Sequence, residues 1–452
     1  MLTHIRAARA WRFVAVAVAV LAAVAVTLVV ATRSVSAGPP PPARYVQLSG
    51  VPGSVKAALY APGEDVSPHV GVLLMHRTSN FLSHVGAREL QRRGFMVLAM
   101  NPRSDNNEAL VDFERNALDM KAGVEFLRSQ PGITKVLLLG HSGGGPASSF
   151  YEAVAENGVA YCQDPRRLVK CPDALAGMPR VDGIILADAH PGIAVNAVRS
   201  INPAVRNEDR PDLGYDRTLD PFRVANGYNP NGTSTYSESF KRRYFQAQSR
   251  RMDELIAKAQ HRVHEVESGG SFLTDDEPFT VYKGDAARLL QLDLSIHHST
   301  SEPEKLLRND GSISTEIVES VRPAQPGLRE DNATLGAGTM MLTARSFLSG
   351  RAVRSTNSMD GLDYCSTNNS TRCGLEHISV PLLVTAMGGH YFIRDSEEYY
   401  KSARSQDKNF VVIEGATHGL GECTACETTP GQYANATRNL FDYVAAWINA
   451  RY

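Results

Sequence analysis

The residues best equipped for chemistry are Gly140-His141-Ser142-Gly143-Gly144, a G-x-S-x-G pentapeptide entered directly from the apolar run Val136 to Leu139. A strand that turns sharply into a helix holds its serine in a strained backbone conformation. The positions two before and two after that serine then have no room for side chains. Gly140 and Gly144 meet that demand. The residues that follow, Pro146 to Asn157, suit a helix, so Ser142 is expected at a helix N-terminus, where backbone N–H groups favour developing negative charge. Serine is a weak nucleophile until an imidazole accepts its proton. The histidine positioned to do so is His418, in the small-residue loop Gly415 to Gly419 after the apolar run Phe410 to Ile413. Two carboxylates between Ser142 and His418 could orient that imidazole. Asp395 reads as a helix N-cap with Glu398 as its capping-box partner. Asp188 ends the apolar stretch Val181 to Asp188, and Pro191 and Gly192 turn the chain just beyond it, so Asp188 is the expected acid.

Taken together, VLLLGHSGGG, the late FVVIEGATHGL and the strand–helix alternation resemble the serine hydrolase (esterase/lipase-like) branch of the α/β-hydrolase fold family. The resemblance covers 45–188 and 380–452 and leaves out the residues between. It implies an oxyanion hole made of two backbone N–H groups: that of Gly143, after the nucleophile, and one from the loop after the third strand, where Thr78 is the candidate by position. It also implies hydrolysis of a carboxylic ester through an acyl-enzyme on Ser142, with no cofactor. An amidase, peptidase or lactonase on the same triad is an alternative, as is a surface binding protein that keeps the scaffold without turnover. The chain departs from the family pattern in two places. His76-Arg77 stands where many members have His-Gly, and the position of the usual acid, after the penultimate strand, is occupied by His390. Some lipases of this fold carry their acid where Asp188 stands.

The elements that must hold these residues follow from periodicity. Apolar runs at 70–76, 95–101, 135–142, 181–188, 380–387 and 410–414 read as strands, preceded by a strand pair at 45–61, with helical stretches at 86–93, 111–129 and 433–449 between or after them. That alternation predicts a mostly parallel, doubly wound α/β sheet. Between the sixth and seventh core strands the rhythm stops for nearly two hundred residues, too long for a structureless connection. The expected division is therefore 1–37 export signal or membrane anchor, 38–44 Pro-rich spacer, 45–192 first part of the core, 193–376 inserted cap, and 377–452 second part of the core. Within the cap, Tyr236 to about Glu267 reads as a long amphipathic helix opened by Thr235 and Glu238. The aromatics around it, Tyr215, Phe222, Tyr228, Tyr236 and Phe240, either line an apolar substrate pocket or form the cap's own core.

Composition narrows the partners. With 47 Lys+Arg against 48 Asp+Glu, the formal net charge of −1 argues against nucleic acid. A small-molecule or lipid-like ester is the expected substrate. Arg6, Arg9 and Arg12 precede an apolar run from Phe13 to Ala31, followed by the small residues Val35-Ser36-Ala37, the pattern of an exported chain that is cleaved or anchored. Six cysteines in three local pairs, Cys162 with Cys171, Cys365 with Cys373 and Cys423 with Cys426, predict disulfides in a secreted, periplasmic or cell-surface setting. The histidine pairs His261/His264 and His297/His298 lack a carboxylate at ligand spacing, so no metal site is expected.

Overall fold

The strands Arg44–Val46 (β1), Ala57–Tyr60 (β2), Val70–Met75 (β3), Met96–Met100 (β4), Lys135–Ser142 (β5) and Gly183–Ala189 (β6) form the first part of a central sheet. Pro278–Val281 (β7), Glu304–Leu307 (β8), Ile313–Glu316 (β9) and Met340–Thr343 (β10) come from the long intervening stretch, and Leu382–Met387 (β11) and Lys408–Ile413 (β12) follow it. This is a computed structural model, and it describes residues 41–210, 214–270, 274–285 and 288–452. The export signal or anchor expected within 1–37 lies outside the described residues, among which no helix is long and apolar enough to cross a membrane.

The main sheet has ten strands in the order β1-β2-β4-β3-β5-β6-β11-β12-β8-β9. From β4 to β8 every neighbour is parallel; β1, β2 and β9 pair antiparallel at the two edges. Strands buried on both faces are near-continuous apolar runs, as VLLL in β5 is and LLVTAM in β11 is except for Thr385, whose Oγ1 donates to the Leu186 carbonyl. Helices cover both faces. Val85–Arg92 (α1) and the C-terminal helix Ala436–Asn449 pack on one. Asn116–Arg128 (α2), Gly144–Asn157 (α3) and the helix Ile393–Ser402 pack on the other. The expected helix over 111–129 starts only at Asn116, because the N–H groups of Val111 and Phe113 are held by Ser346 Oγ and Ser349 Oγ of the intervening stretch.

The stretch expected as an inserted cap is not a body apart. The described residues form one compact unit, and the β8–β9 hairpin extends the main sheet through β8 on β12. Sequence reading did not find that hairpin, since its strands have only four residues each and carry charged side chains. Two helices of this stretch bear on the site: Ile193–Ser200 (α4) and Glu238–Glu267 (α5). The long helix begins two residues later than expected, because the cap is Ser237, whose Oγ accepts the Phe240 N–H. Tyr228, Tyr236, Phe240 and Tyr244 bury against one another and against Tyr391 and Phe392 from the loop after β11. They are core.

Arg199 of α4 and Asp395 form an ion pair at 2.8 Å with both side chains 2% exposed, clamping the inserted stretch to the helix Ile393–Ser402. Asp395 therefore lies inside the first turn of that helix, whose N-cap is Phe392, and does not cap it. Removing one partner of a buried pair leaves an uncompensated charge, which costs about 3–5 kcal/mol. Asp395→Asn is thus expected to lower unfolding stability by that order in a urea titration, with the remaining folded protein keeping the geometry around Ser142.

Candidate active site

Ser142 is the last residue of β5, with φ at +54°. For a residue with a Cβ this left-handed conformation is strained, and it persists because the surroundings dictate it. A Cβ on Gly144 would lie 2.5 Å from the Met75 carbonyl oxygen, and one on Gly140 would lie 2.7 Å from that of Gly144. Only glycine permits so tight a turn. The next helix, α3, starts two residues after the serine.

Asp188 is placed by an irregularity of the sheet. Between β5 and β6, His141 pairs with Ala187 but Ser142 pairs with Ala189, so Asp188 is the extra residue of a bulge and takes φ +46°. A bulge re-aims a side chain. Here it turns the carboxylate to His418, whose Nδ1 lies 2.6 Å from Asp188 Oδ2 while its Nε2 lies 2.9 Å from Ser142 Oγ. The three expected residues thus meet in one hydrogen-bonded line. Asp395 is paired elsewhere, with Arg199.

With strand order, elbow and histidine loop in place, the architecture is identifiable. The chain has the α/β-hydrolase fold. Among solved structures it is similar to DcsB in complex with its substrate analogue, at 13% identity over 90% of this chain and 99% of that one, with a TM-score of 0.42. It is also similar to Est1E from Butyrivibrio proteoclasticus (9% identity, 90% and 98% covered, TM-score 0.36). A third is monoacylglycerol lipase from Paleococcus ferrophilus (12% identity, 88% and 98% covered, TM-score 0.36). No family profile and no curated protein matches the chain.

Asp188 is wholly buried. Burial alone would raise its carboxyl, but the imidazoles of His390 and His418 hold it well below the usual carboxylate range. His390 Nδ1 comes within 2.7 Å of Asp188 Oδ2, yet off the hydrogen-bonding direction, so that nitrogen stays buried and unpartnered. Its ring stacks on His418 with centroids 4.5 Å apart. Where the usual acid would stand, a second imidazole therefore faces the same carboxylate. Asp188, His390 and His418 bring three metal-ligating atoms within 4.8 Å of one another. Both imidazole nitrogens crowd the same carboxylate oxygen, His418 through a hydrogen bond and His390 through contact alone.

Four further histidines escaped the sequence reading of roles, and their tautomers follow from their partners. His84 Nδ1 accepts the Gly86 N–H at the start of α1, so its Nε2–H donates to His141 Nδ1 at 2.9 Å; His141 Nε2–H in turn donates to the His418 carbonyl at 2.7 Å. This chain pins the backbone of the triad histidine. His190 donates its backbone N–H to the Ser142 carbonyl at 2.9 Å. His76 Nδ1 accepts from both Thr78 N, at 3.0 Å, and Ser79 N, at 2.7 Å. That corrects the expectation for Thr78: its N–H is spent on an imidazole and is not free to stabilise an oxyanion. The proton of His76 is consequently on Nε2, which lies beside Gly143; a Cβ there would be 2.5 Å from it. A cavity of about 380 Å³ lined by Val111, Glu114, Leu168 and Ser349 includes none of these residues.

Burial opposes a charged imidazole, and it pushes His76 down to about 3, His84 and His297 to about 4, and His141 and His190 well below the ordinary histidine range. Burial acts oppositely on two carboxyls, raising Glu114 to about 7 and Glu152 to about 8. From pH 8 down toward 7 the folded state takes up protons at those glutamates before the unfolded chain does, so stability rises. Below 7 the unfolded chain begins to protonate six histidines, His390 among them, whose charge the folded state suppresses. They outnumber the two glutamates, and stability falls at about 1.4 kcal/mol per pH unit for each uncompensated proton. Melting temperatures measured across pH 4.5–8 should peak close to 7; a profile that keeps rising down to 5 would contradict these buried neutral imidazoles.

Proposed function

We propose that the protein is a serine hydrolase, acting on carboxylic esters of small-molecule or lipid-like character. One observation carries the reading: a serine in a strained turn, an imidazole at 2.9 Å and a buried carboxylate at 2.6 Å stand in line. In this mechanism His418 Nε2 takes the Ser142 proton as Oγ attacks the ester carbonyl. Asp188 holds the His418 tautomer and stabilises the imidazolium that forms. The imidazolium then protonates the leaving alcohol, giving an acyl-enzyme, and water activated by the same imidazole releases the acid and restores Ser142.

The tetrahedral oxyanion would be received by the Gly143 N–H at the start of α3 and by His76 Nε2–H, which replaces the donor first expected from Thr78. A neutral His76 suits that role, since its single remaining proton is already turned toward Gly143. The three cysteine pairs are bonded, which fits export to an oxidising compartment.

Ser142→Ala should abolish labelling by a fluorophosphonate probe and release of 4-nitrophenolate from 4-nitrophenyl esters, and His418→Ala should nearly do so. Asp188→Asn is expected to lower turnover on the order of ten-thousand-fold with fold retained. For His76→Ala, loss of one oxyanion donor is expected to reduce kcat about a hundred- to a thousand-fold with little change in KM. Robust turnover in Ser142→Ala would overturn the mechanism, and an unaltered kcat in His76→Ala would remove that histidine from it.

A further inference from the structure

Beside the nucleophile the protein buries more positive charge than it neutralises. Arg77 follows His76 directly and is 6% exposed, and Arg351, from the inserted stretch, is 8% exposed. Both guanidinium groups converge on one carboxylate: Arg77 Nη1 lies 2.5 Å and Arg351 Nη2 3.0 Å from Glu108 Oε2. Glu108, whose side chain is 42% exposed, is held at about 2, chiefly by Arg77 and then by Arg351, so it is ionised and the trio carries one net positive charge. Two donors are left over. Arg77 Nε and Arg351 Nη1 are buried with no hydrogen-bond partner. An unmade hydrogen bond at a buried charged donor is expensive, so a trio like this is incomplete without a second anion. Burial and the adjacent Arg77 also push the Arg351 guanidinium down from its ordinary value, a strain that a further negative charge would relieve.

The trio lies next to the reacting groups. The His76 ring abuts Gly143 on one side and feels the charges of Arg77, Glu108 and His418. The His190 ring, whose backbone holds the Ser142 carbonyl, feels Arg77 and His418 together. Among the other buried arginines described, Arg199 is matched by Asp395, and Arg288 by Asp285, Ser200 and Tyr391; Arg322 also keeps an unpartnered Nε, but its other nitrogens donate to the backbone carbonyls of Leu290, Leu294, Ile296 and His297 and it shares no carboxylate with a second arginine.

We propose that Arg77 and Arg351 form an anion subsite beside Ser142, and that the preferred substrate is an ester carrying one carboxylate at a distance from the scissile bond. This rests on the serine hydrolase reading and narrows it. A single net positive charge matches a monoanion, and guanidinium forks match the planar, two-oxygen geometry of a carboxylate. Through Arg351 the inserted stretch contributes to substrate choice.

The test compares mono-4-nitrophenyl esters of succinate, glutarate and adipate with neutral 4-nitrophenyl butyrate, valerate and hexanoate, using the full chain. At least one carboxylate ester should show a kcat/KM about tenfold or more above its neutral counterpart, the size expected for charge-assisted hydrogen bonds. Arg351→Gln should lower the ratio of carboxylate to neutral kcat/KM by about tenfold, and Arg351→Lys should restore part of it. Fluorophosphonate labelling of Ser142 in the same preparations separates the two levels. Labelled wild-type enzyme with no carboxylate preference overturns the subsite and leaves the serine hydrolase standing, as does a labelled Arg351→Gln enzyme with the full preference. Wild-type enzyme that neither labels nor turns over any ester overturns both.

Discussion

Burying an ionised carboxylate costs several kcal/mol unless charge and hydrogen bonds compensate it, and Asp188 is such a carboxylate. No arginine or lysine is within ion-pairing distance of it among the described residues; its close partners are the imidazoles of His418 and His390 and the Met387 N–H. Much of the site follows from that constraint. The bulge that puts Asp188 out of register with β5 is also what lets it leave the strand plane toward His418. Two imidazoles compensate the charge only partly and reversibly. A permanent guanidinium there would compete with His418 for the carboxylate and blunt its ability to stabilise an imidazolium as it forms.

The surrounding histidines obey a complementary rule: near His418, the group that gains positive charge in the proposed mechanism, other groups are kept neutral. His76, His84 and His141 each have at least one ring nitrogen committed as an acceptor to a neutral donor. Protonating any of them would put two N–H groups face to face. The same bonds that suppress their charge also fix their tautomers, so one set of interactions sets the electrostatics and the direction of every proton near Ser142.

The sheet, the elbow and the three residues Ser142, His418 and Asp188 were legible in the sequence because each is a local signal. Doubly buried strands are near-continuous apolar runs, the turn demands glycine at two fixed offsets, and a strand-end aspartate needs no distant partner to be noticed. The oxyanion loop was not legible. Whether Thr78 N–H is free depends on where the ring of His76 points, and that depends on packing against Gly143 from another strand. Asp395 was misread for a related reason. Followed by Ser396 and Glu398 it has the composition of a cap, and only the fold brings Arg199, almost two hundred residues earlier, to its side. Likewise, the β8–β9 hairpin joins the sheet by a parallel pairing with β12, a contact that strand composition does not encode.

The inserted stretch acts on the core through polar anchors spread along its length. Ser346 and Ser349 hold the loop before α2, Glu108 bridges Arg351 to the loop that follows β3, and Arg199 grips Asp395. Because Glu108 also accepts from Thr78 Oγ1 at 2.5 Å, the position of the loop carrying His76 and Arg77 depends on a carboxylate that the insertion shares. A change in Arg351 would therefore reach the nucleophile by two routes, the charge available to a substrate anion and the seating of the His76 loop. The first moves only charged substrates, whereas the second moves all of them. A comparison of charged with neutral esters is consequently the measurement that resolves binding from support in this site.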